Sequence, residues 1–143
     1  MVTVDPKANH LAYYKDITCI TPNHREAEEA AGIKIEHDVD IDRAGKIILK
    51  KLSSDAVLIT LGEKGMRLFE KDGKVTHIPT VAQEVFDVSG AGDTVISVFT
   101  LSLASGESML EAAHLANFAA GIVVGKLGVA VTTQEELRKR IRK

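Results

Sequence analysis

The sequence contains few of the residues on which several classes of protein depend. It has one cysteine, no tryptophan, two tyrosines and four phenylalanines in 143 residues. A single cysteine excludes an internal disulfide, and Cys19 lies in an apolar run, which favours a buried structural thiol over a nucleophile. The net charge is only −2, so there is no electrostatic reason to expect nucleic acid or a membrane surface as a partner.

Long hydrophobic runs are also lacking. No uncharged apolar run is long enough to cross a bilayer, and the N-terminus has no signal-peptide pattern, so we expect a cytoplasmic protein. The five histidines are scattered without a pair at metal-ligand spacing, which gives no basis for a zinc site. The hydrophobic content of 45% is nevertheless ordinary for a globular protein, and the length is that of one domain.

Strand-like and helix-like segments alternate along the chain, which predicts an α/β fold with a partly parallel sheet. Short apolar runs predict strands at residues 2–4, 17–20 and 56–61, and a hairpin at residues 66–70 and 74–78. Helical spacing and capping residues predict helices at residues 24–31, 41–52, 91–104, 108–124 and 133–140.

The run Asp-Val-Ser-Gly-Ala-Gly-Asp-Thr at residues 87–94 is the most informative stretch of the sequence. A glycine-containing turn that opens into a helix directs free backbone N–H groups at one point, where the helix dipole favours an anion. Gly90, Ala91 and Gly92 are therefore candidates for an anion cradle. Asp93 would face the bound group and is suited to take a proton from an attacking hydroxyl. An ordinary helix start with small residues fits the same eight residues equally well.

Three further places follow predicted strands, where open α/β sheets bind ligands. Asn23 and Glu26 lie on one helical face. They could hold a metal-bound water, or they could form a simple capping box. Judged without the other motifs, the pair is better explained by the capping box. The segment from Thr60 to Gly65 fits either a nucleotide-contacting turn or a glycine-dependent connection. Lys7 follows the first strand and would either bind an anion or be solvated. The basic C-terminal residues fit a solvated helix face.

The order of these motifs resembles that of the ribokinase-like (PfkB) sugar kinases, and the likeness covers nearly the whole chain and the C-terminal half of that family. In the family, the motif at residues 87–93 builds the anion hole and carries the catalytic base. Residues 21–26 are similar to the family's Asn-x-x-Glu element, and residues 60–65 to its Thr-x-Gly-x-x-Gly nucleotide motif. Residues 4–7, 21–30 and 125–131 resemble, more narrowly, the heptose phosphate kinases of bacterial ADP-heptose synthesis, which supplies the lipopolysaccharide core.

The resemblance implies a ribokinase-like fold and a role for each matching residue. Asp93 would be the base, and the amides of the Gly-Ala-Gly turn would stabilise the transferring phosphoryl group of ATP. Glu26, with Asn23, would organise Mg²⁺ through water. The residues implied at the nucleotide are Asn23, Glu26, Thr60, Gly62, Gly65 and Asn117. Some relatives also bind K⁺ through loops that correspond to those near Asp87 and Gly128.

A complete kinase of this family is roughly twice as long as this chain, whose own length is that of one typical domain of ~100–150 residues. We therefore expect residues 1–143 to be the nucleotide-binding and catalytic half, without the substrate and lid half, and to have little kinase activity alone. The expected partners are ATP and a sugar phosphate. The alternative hypothesis is a non-catalytic nucleotide-binding or assembly module that pairs with itself or with a partner through an exposed sheet edge.

Overall fold

Five strands form one mixed sheet in which their spatial order is their order along the chain. The computed structural model describes residues 1–142, except for the side chains of Ala8, Asn9 and Ala12. The strands are β1 (Thr3–Val4), β2 (Cys19–Ile20), β3 (Ala56–Thr60), β4 (Met66–Glu70) and β5 (Val75–Ile78). The pairs β1–β2 and β2–β3 are parallel, whereas β3–β4 and β4–β5 are antiparallel. The predicted partly parallel sheet is therefore confirmed.

Within residues 1–142, five α-helices occur at the predicted places. They are α1 (His24–Ala31), α2 (Asp38–Leu52), α3 (Ala91–Ala104), α4 (Met109–Val123) and α5 (Gln134–Ile141). Helix α2 begins three residues before the predicted start, because the His37 N–H donates to the Asp40 carboxylate at 2.9 Å and closes the first turn. Two 3₁₀ segments, Ala8–Tyr13 and Gly62–Lys64, were not predicted.

Helices cover both faces of the sheet. Along β3, Val57 and Ile59 belong to the core beneath α1 and α2, whereas Ala56 and Leu58 belong to the core beneath α3 and α4. This alternation follows from the two-residue period of a strand, and all four side chains are fully buried. Cys19 is also fully buried, and its burial raises the pKa of the thiol. The prediction of a buried structural thiol is confirmed.

The loop between α4 and α5 is fixed by polar contacts at its two ends. The Lys126 ammonium donates to the Val131 carbonyl at 2.8 Å and lies 2.7 Å from the Glu136 carboxylate. Glu136 also accepts from the Thr133 N–H in a capping box at the start of α5. The bond from Lys126, followed by those from Thr133, lowers the pKa of Glu136 to about 2. Val129 in this loop lies beside the start of α3, since its Cγ1 atom is 3.7 Å from the Cβ position of Gly90.

Candidate active site

Three loops meet at the carboxyl end of the parallel strands. They follow β1 at Asp5, β2 at Thr21 and β3 at Leu61. The second and third loops are in direct contact. The Thr60 N–H donates to the Pro22 carbonyl at 2.9 Å, and Asn23 and Thr60 form an isolated parallel β-bridge. This edge of an open α/β sheet is the position at which such folds bind ligands.

The N-terminus of α3 lies beside the first of these loops. Thr3 in β1 and Thr100 in α3 have their hydroxyl oxygens 2.7 Å apart, which packs the helix along the strand. Asp93, in the first turn of α3, is exposed. It is close enough to Asp5 to raise the pKa of that carboxyl, although burial is the larger cause. Asp93 therefore faces the same edge of the sheet as the strand ends.

Gly90 gives the start of α3 its geometry. Its φ is +78°, in the left-handed region that favours glycine. The N–H groups of Gly90, Gly92 and Asp93 donate to no acceptor within residues 1–142, whereas the Ala91 N–H donates to the Val88 carbonyl at 3.2 Å. Two of the three predicted anion-hole amides are thus free, as unsatisfied N–H groups at a helix start generally are. The third, that of Ala91, is engaged within the turn.

The loop that precedes α3 is tied to the loop that follows α4. The Phe86 N–H donates to the Val124 carbonyl at 2.8 Å. Asp87 accepts from the Ser89 N–H at 2.8 Å. The bonds from Ser89 are the main reason that the pKa of Asp87 is lowered, and the Gly128 N–H contributes as well. The two loops that the family resemblance connects with K⁺ therefore lie together.

Asn23 and Glu26 form the capping box that the spacing predicted. The Asn23 N–H donates to Glu26 Oε2 at 2.8 Å, and the Glu26 N–H donates to Asn23 Oδ1 at 3.0 Å. Glu26 Oε1 and Asn23 Nδ2 have no partner within the described part of the chain. The box leaves one polar atom on each side chain available to a ligand, so capping and binding are compatible here.

The side chains at this edge of the sheet include few that could be ligands of Mg²⁺. Within residues 1–142, no three histidine, cysteine, aspartate or glutamate side chains are grouped so as to hold a metal ion. A carboxylate with one free oxygen, such as that of Glu26, fits a hydrated Mg²⁺, which usually keeps several of its waters. The residues present therefore fit a water-mediated site that is completed by nucleotide phosphate, and they do not form a cage of protein ligands.

The two glycines of the segment from Thr60 to Gly65 differ in their surroundings. Gly65 has φ +82°, and a Cβ atom there would collide with the Ile78 carbonyl oxygen and lie 2.6 Å from the Thr80 nitrogen. Gly62 has φ +59° and nothing within 4 Å of the Cβ position. Gly65 thus serves the close approach of β5, whereas Gly62 presents open backbone at the site. Thr60 is half-buried at the end of β3.

Asn117 is buried in α4 and holds the segment that follows β5. Its Nδ2 donates to the Pro79 carbonyl at 2.7 Å. Arg140 in α5 holds the same segment, since its guanidinium donates to the Val81 carbonyl at 2.5 Å and to Gln83 Oε1 at 3.1 Å. The sequence predicted only a solvated basic face for α5. Lys143, which belongs to that basic face, lies outside the described residues.

These observations can be compared with known proteins. The model of the pfkB family carbohydrate kinases matches residues 2–136. The chain belongs to the pfkB family of carbohydrate kinases. It is 52% identical over 136 residues to the bifunctional protein HldE of Citrifermentans bemidjiense, and 49% identical over 136 residues to that of Geobacter metallireducens. Each match covers 95% of this chain and 28% of the relative.

Solved structures agree with the assignment. Ribokinase of Arabidopsis thaliana, in complex with ribose and ATP, superposes with a TM-score of 0.83 at 26% identity, over 98% of this chain and 45% of that one. Ribokinase of Thermotoga maritima superposes with a TM-score of 0.84 at 25% identity, over 100% of this chain and 49% of that one. The ribokinase-like α/β fold is thus confirmed, and the chain spans about half the length of these structures. No helix among the described residues is long and apolar enough to cross a membrane.

Proposed function

We propose that residues 1–143 carry the ATP site and the phosphoryl-transfer machinery of a sugar kinase whose acceptor is a heptose phosphate. The observation that supports this most directly is the start of α3, where free backbone N–H groups and the exposed Asp93 face the carboxyl end of β1. The heptose acceptor is proposed because about half of the aligned residues are identical to those of HldE proteins.

In the proposed reaction, the sugar hydroxyl attacks the terminal phosphorus of ATP, and the bond from that phosphorus to the bridging oxygen of ADP breaks. Asp93 accepts the proton of the attacking hydroxyl. The N–H groups of Gly90 and Gly92 donate to the oxygens of the transferring group, where charge develops. The Ala91 N–H joins them once it leaves the Val88 carbonyl. Mg²⁺, when bound, neutralises phosphate charge, and Glu26 with Asn23 would hold its waters.

The nucleotide would lie along the loops that follow β3 and β5. Thr60 and the open backbone of Gly62 would face its ribose and phosphates, and Gly65 would shape that turn. Asn117 would act on the base side by fixing the segment at Pro79. The adjacent loops at Asp87 and Gly128 would provide carbonyl oxygens for K⁺.

We propose that most of the acceptor site lies in the part of the relatives that this chain does not cover. Because positioning of the acceptor supplies much of the rate, the chain alone should turn over far more slowly than the ~1–100 s⁻¹ of typical kinases. The chain should still bind ATP. Joining it to the preceding part of the Citrifermentans bemidjiense HldE should give a chimera that phosphorylates heptose phosphate.

Asp93→Asn in that chimera tests the central assignment. A general base contributes about 10²–10⁴-fold, so phosphoryl transfer should fall by that factor while the Kd for ATP changes little. Ser97→Ala, one turn further along α3 and also exposed, is the matched control and should keep wild-type activity. An Asp93→Asn protein that retains activity would refute the assignment of the base, and one that loses ATP binding would show a structural role.

The alternative of an assembly module rests on the edge of the sheet. Strand β1 pairs with β2 on one side only among the described strands, and Leu101 on α3 is 66% exposed. Unpaired strand edges favour association with another chain, and here the occupant tested is a second copy of this chain. Sedimentation velocity distinguishes the two functions, because a strict monomer that binds ATP supports the kinase site and contradicts self-assembly.

A further inference from the structure

The residues that follow β1 hold one lysine in a fixed place at the proposed site. Pro6 is fully buried, and its ring restricts the backbone where the chain leaves the strand. The Lys7 N–H donates to Tyr14 Oη at 3.4 Å, and the Lys7 carbonyl accepts from the His10 N–H at 2.8 Å. The backbone of Lys7 is therefore anchored on both sides, while its side chain is exposed.

The direction of α3 brings its first turn toward this lysine. Thr3 contacts Thr100, and Asp93 lies seven residues before Thr100, about 10 Å along the helix axis. Asp5 lies two residues beyond Thr3, about 7 Å along the strand. The helix therefore runs antiparallel to β1, so that its N-terminus and the end of the strand reach the same point. The mutual influence of Asp5 and Asp93 agrees with this direction.

The carboxylates at this point oppose the binding of an anion. Asp5 and Asp93 place two carboxylates beside the N–H groups that would receive a phosphate, and both repel an anion. Lys7 is the neighbour that lowers the pKa of Asp5, against the larger effect of burial. Its ammonium lies within 4 Å of no carboxylate in the described structure. It is therefore available to a ligand, and its four-carbon stem lets it move toward one.

We propose that Lys7 binds the terminal phosphate of ATP from the β1 side, opposite the free N–H groups of α3. This inference rests on the proposed kinase function and adds a residue to it. An ammonium there would offset the repulsion by Asp5 and Asp93 in the ground state. It would also stabilise the negative charge on the phosphoryl oxygens during transfer. Lys7 would therefore distinguish ATP from ADP, which lacks the terminal phosphate.

Calorimetric titration of the purified chain with ATP and with ADP, both with Mg²⁺, tests the proposal. Lys7→Gln keeps much of the stem and removes the charge, so it should weaken ATP binding by about tenfold, or about 1.4 kcal/mol. ADP binding should change by less than about threefold. Lys7→Arg should restore most of the preference for ATP, since it keeps a cation. The expected loss is near the lower end for a hydrogen bond to a charged group.

Lys46→Gln is the matched control. Lys46 is an exposed lysine in α2, which packs on the face of the sheet away from α3, and its loss should leave both affinities unchanged. Equal affinities for Lys7→Gln and Lys46→Gln, or an equal loss for ATP and ADP, would overturn the role of Lys7 and leave the kinase function standing. A folded wild-type chain that binds neither nucleotide would overturn both.

Discussion

Replacement of Gly65 by alanine should be among the most damaging single changes in the chain. Gly65 has φ +82° and ψ −128°, a backbone conformation that costs a side-chain-bearing residue about 1–3 kcal/mol. The new Cβ would also collide with the backbone at Ile78 and Thr80, and overpacking adds about 1–3 kcal/mol. Because these neighbours are backbone atoms, they cannot move aside without disturbing the β4–β5 pairing. We expect a loss of about 2–6 kcal/mol in the free energy of unfolding.

Gly62→Ala provides the comparison, because it lies three residues away in the same motif. Its φ of +59° is also left-handed, but nothing lies within 4 Å of the Cβ position. Only the backbone preference is lost, at about 1–2 kcal/mol. If the backbone of Gly62 approaches the nucleotide as we propose, the added methyl group should weaken ATP binding by at least about tenfold in a protein that is still folded.

Urea unfolding followed by circular dichroism measures the first effect, and calorimetric titration with ATP measures the second. The variant Gly73→Ala is the control for strain alone, since its φ is +94° and its Cβ position is open, in the β4–β5 turn far from the site. If Gly65→Ala were no less stable than Gly73→Ala, the steric reasoning would be refuted. If Gly62→Ala bound ATP as the wild type does, the assigned place of the nucleotide would be wrong.

Three further predictions concern other parts of the fold. The pKa of Glu136 is lowered to about 2 on folding, chiefly by Lys126, so its contribution to stability is present above pH ~4.3 and is lost as the pH falls toward 2. The difference in urea midpoint between wild type and Glu136→Gln should therefore shrink across that window, and a difference that grows would contradict the assignment. Cys19 is fully buried and should react with Ellman's reagent only on unfolding, so fast labelling of the native protein would refute its burial. Asn117→Ala should cost about 0.5–1.5 kcal/mol, because the buried Asn117 amide no longer donates to the Pro79 carbonyl. Urea unfolding measures this loss against His114→Ala, a substitution at an exposed position of the same helix.

Local rules predicted most of the secondary structure. Gly32, in the left-handed region, ends α1, and the capping box of Thr133 and Glu136 begins α5. Both signals depend only on residues that are close together in the sequence. The 3₁₀ segment Ala8–Tyr13 was missed because it is short and has no clear apolar period. The early start of α2 depends on a single carboxylate, that of Asp40, which the apolar pattern does not reveal.

The sequence predicted the motifs of the candidate site and their place after the strands, but not the contacts between them. The spacing of Asn23 and Glu26 predicts a capping box, which the structure contains, but spacing alone does not bring Asn23 next to Thr60. The parallel pairing of β2 with β3 does that. Likewise, the engagement of the Ala91 N–H by Val88 depends on the turn geometry set by Gly90, which composition leaves undetermined.

Arg140 departs from the solvated basic face predicted for the C-terminal helix, whereas Arg138, Lys139 and Arg142 are exposed as predicted. In sequence it is one of several charged residues that fit a solvated face. In the structure it contacts the Val81 carbonyl 59 residues away, and only tertiary packing creates such a contact. Together with Asn117 at Pro79, it holds the β5–α3 connection, whose far end forms the Gly90 turn. The proposed anion hole is therefore positioned partly by α4 and α5, which contribute no group to the chemistry, and changes in these helices should reach the site through this connection.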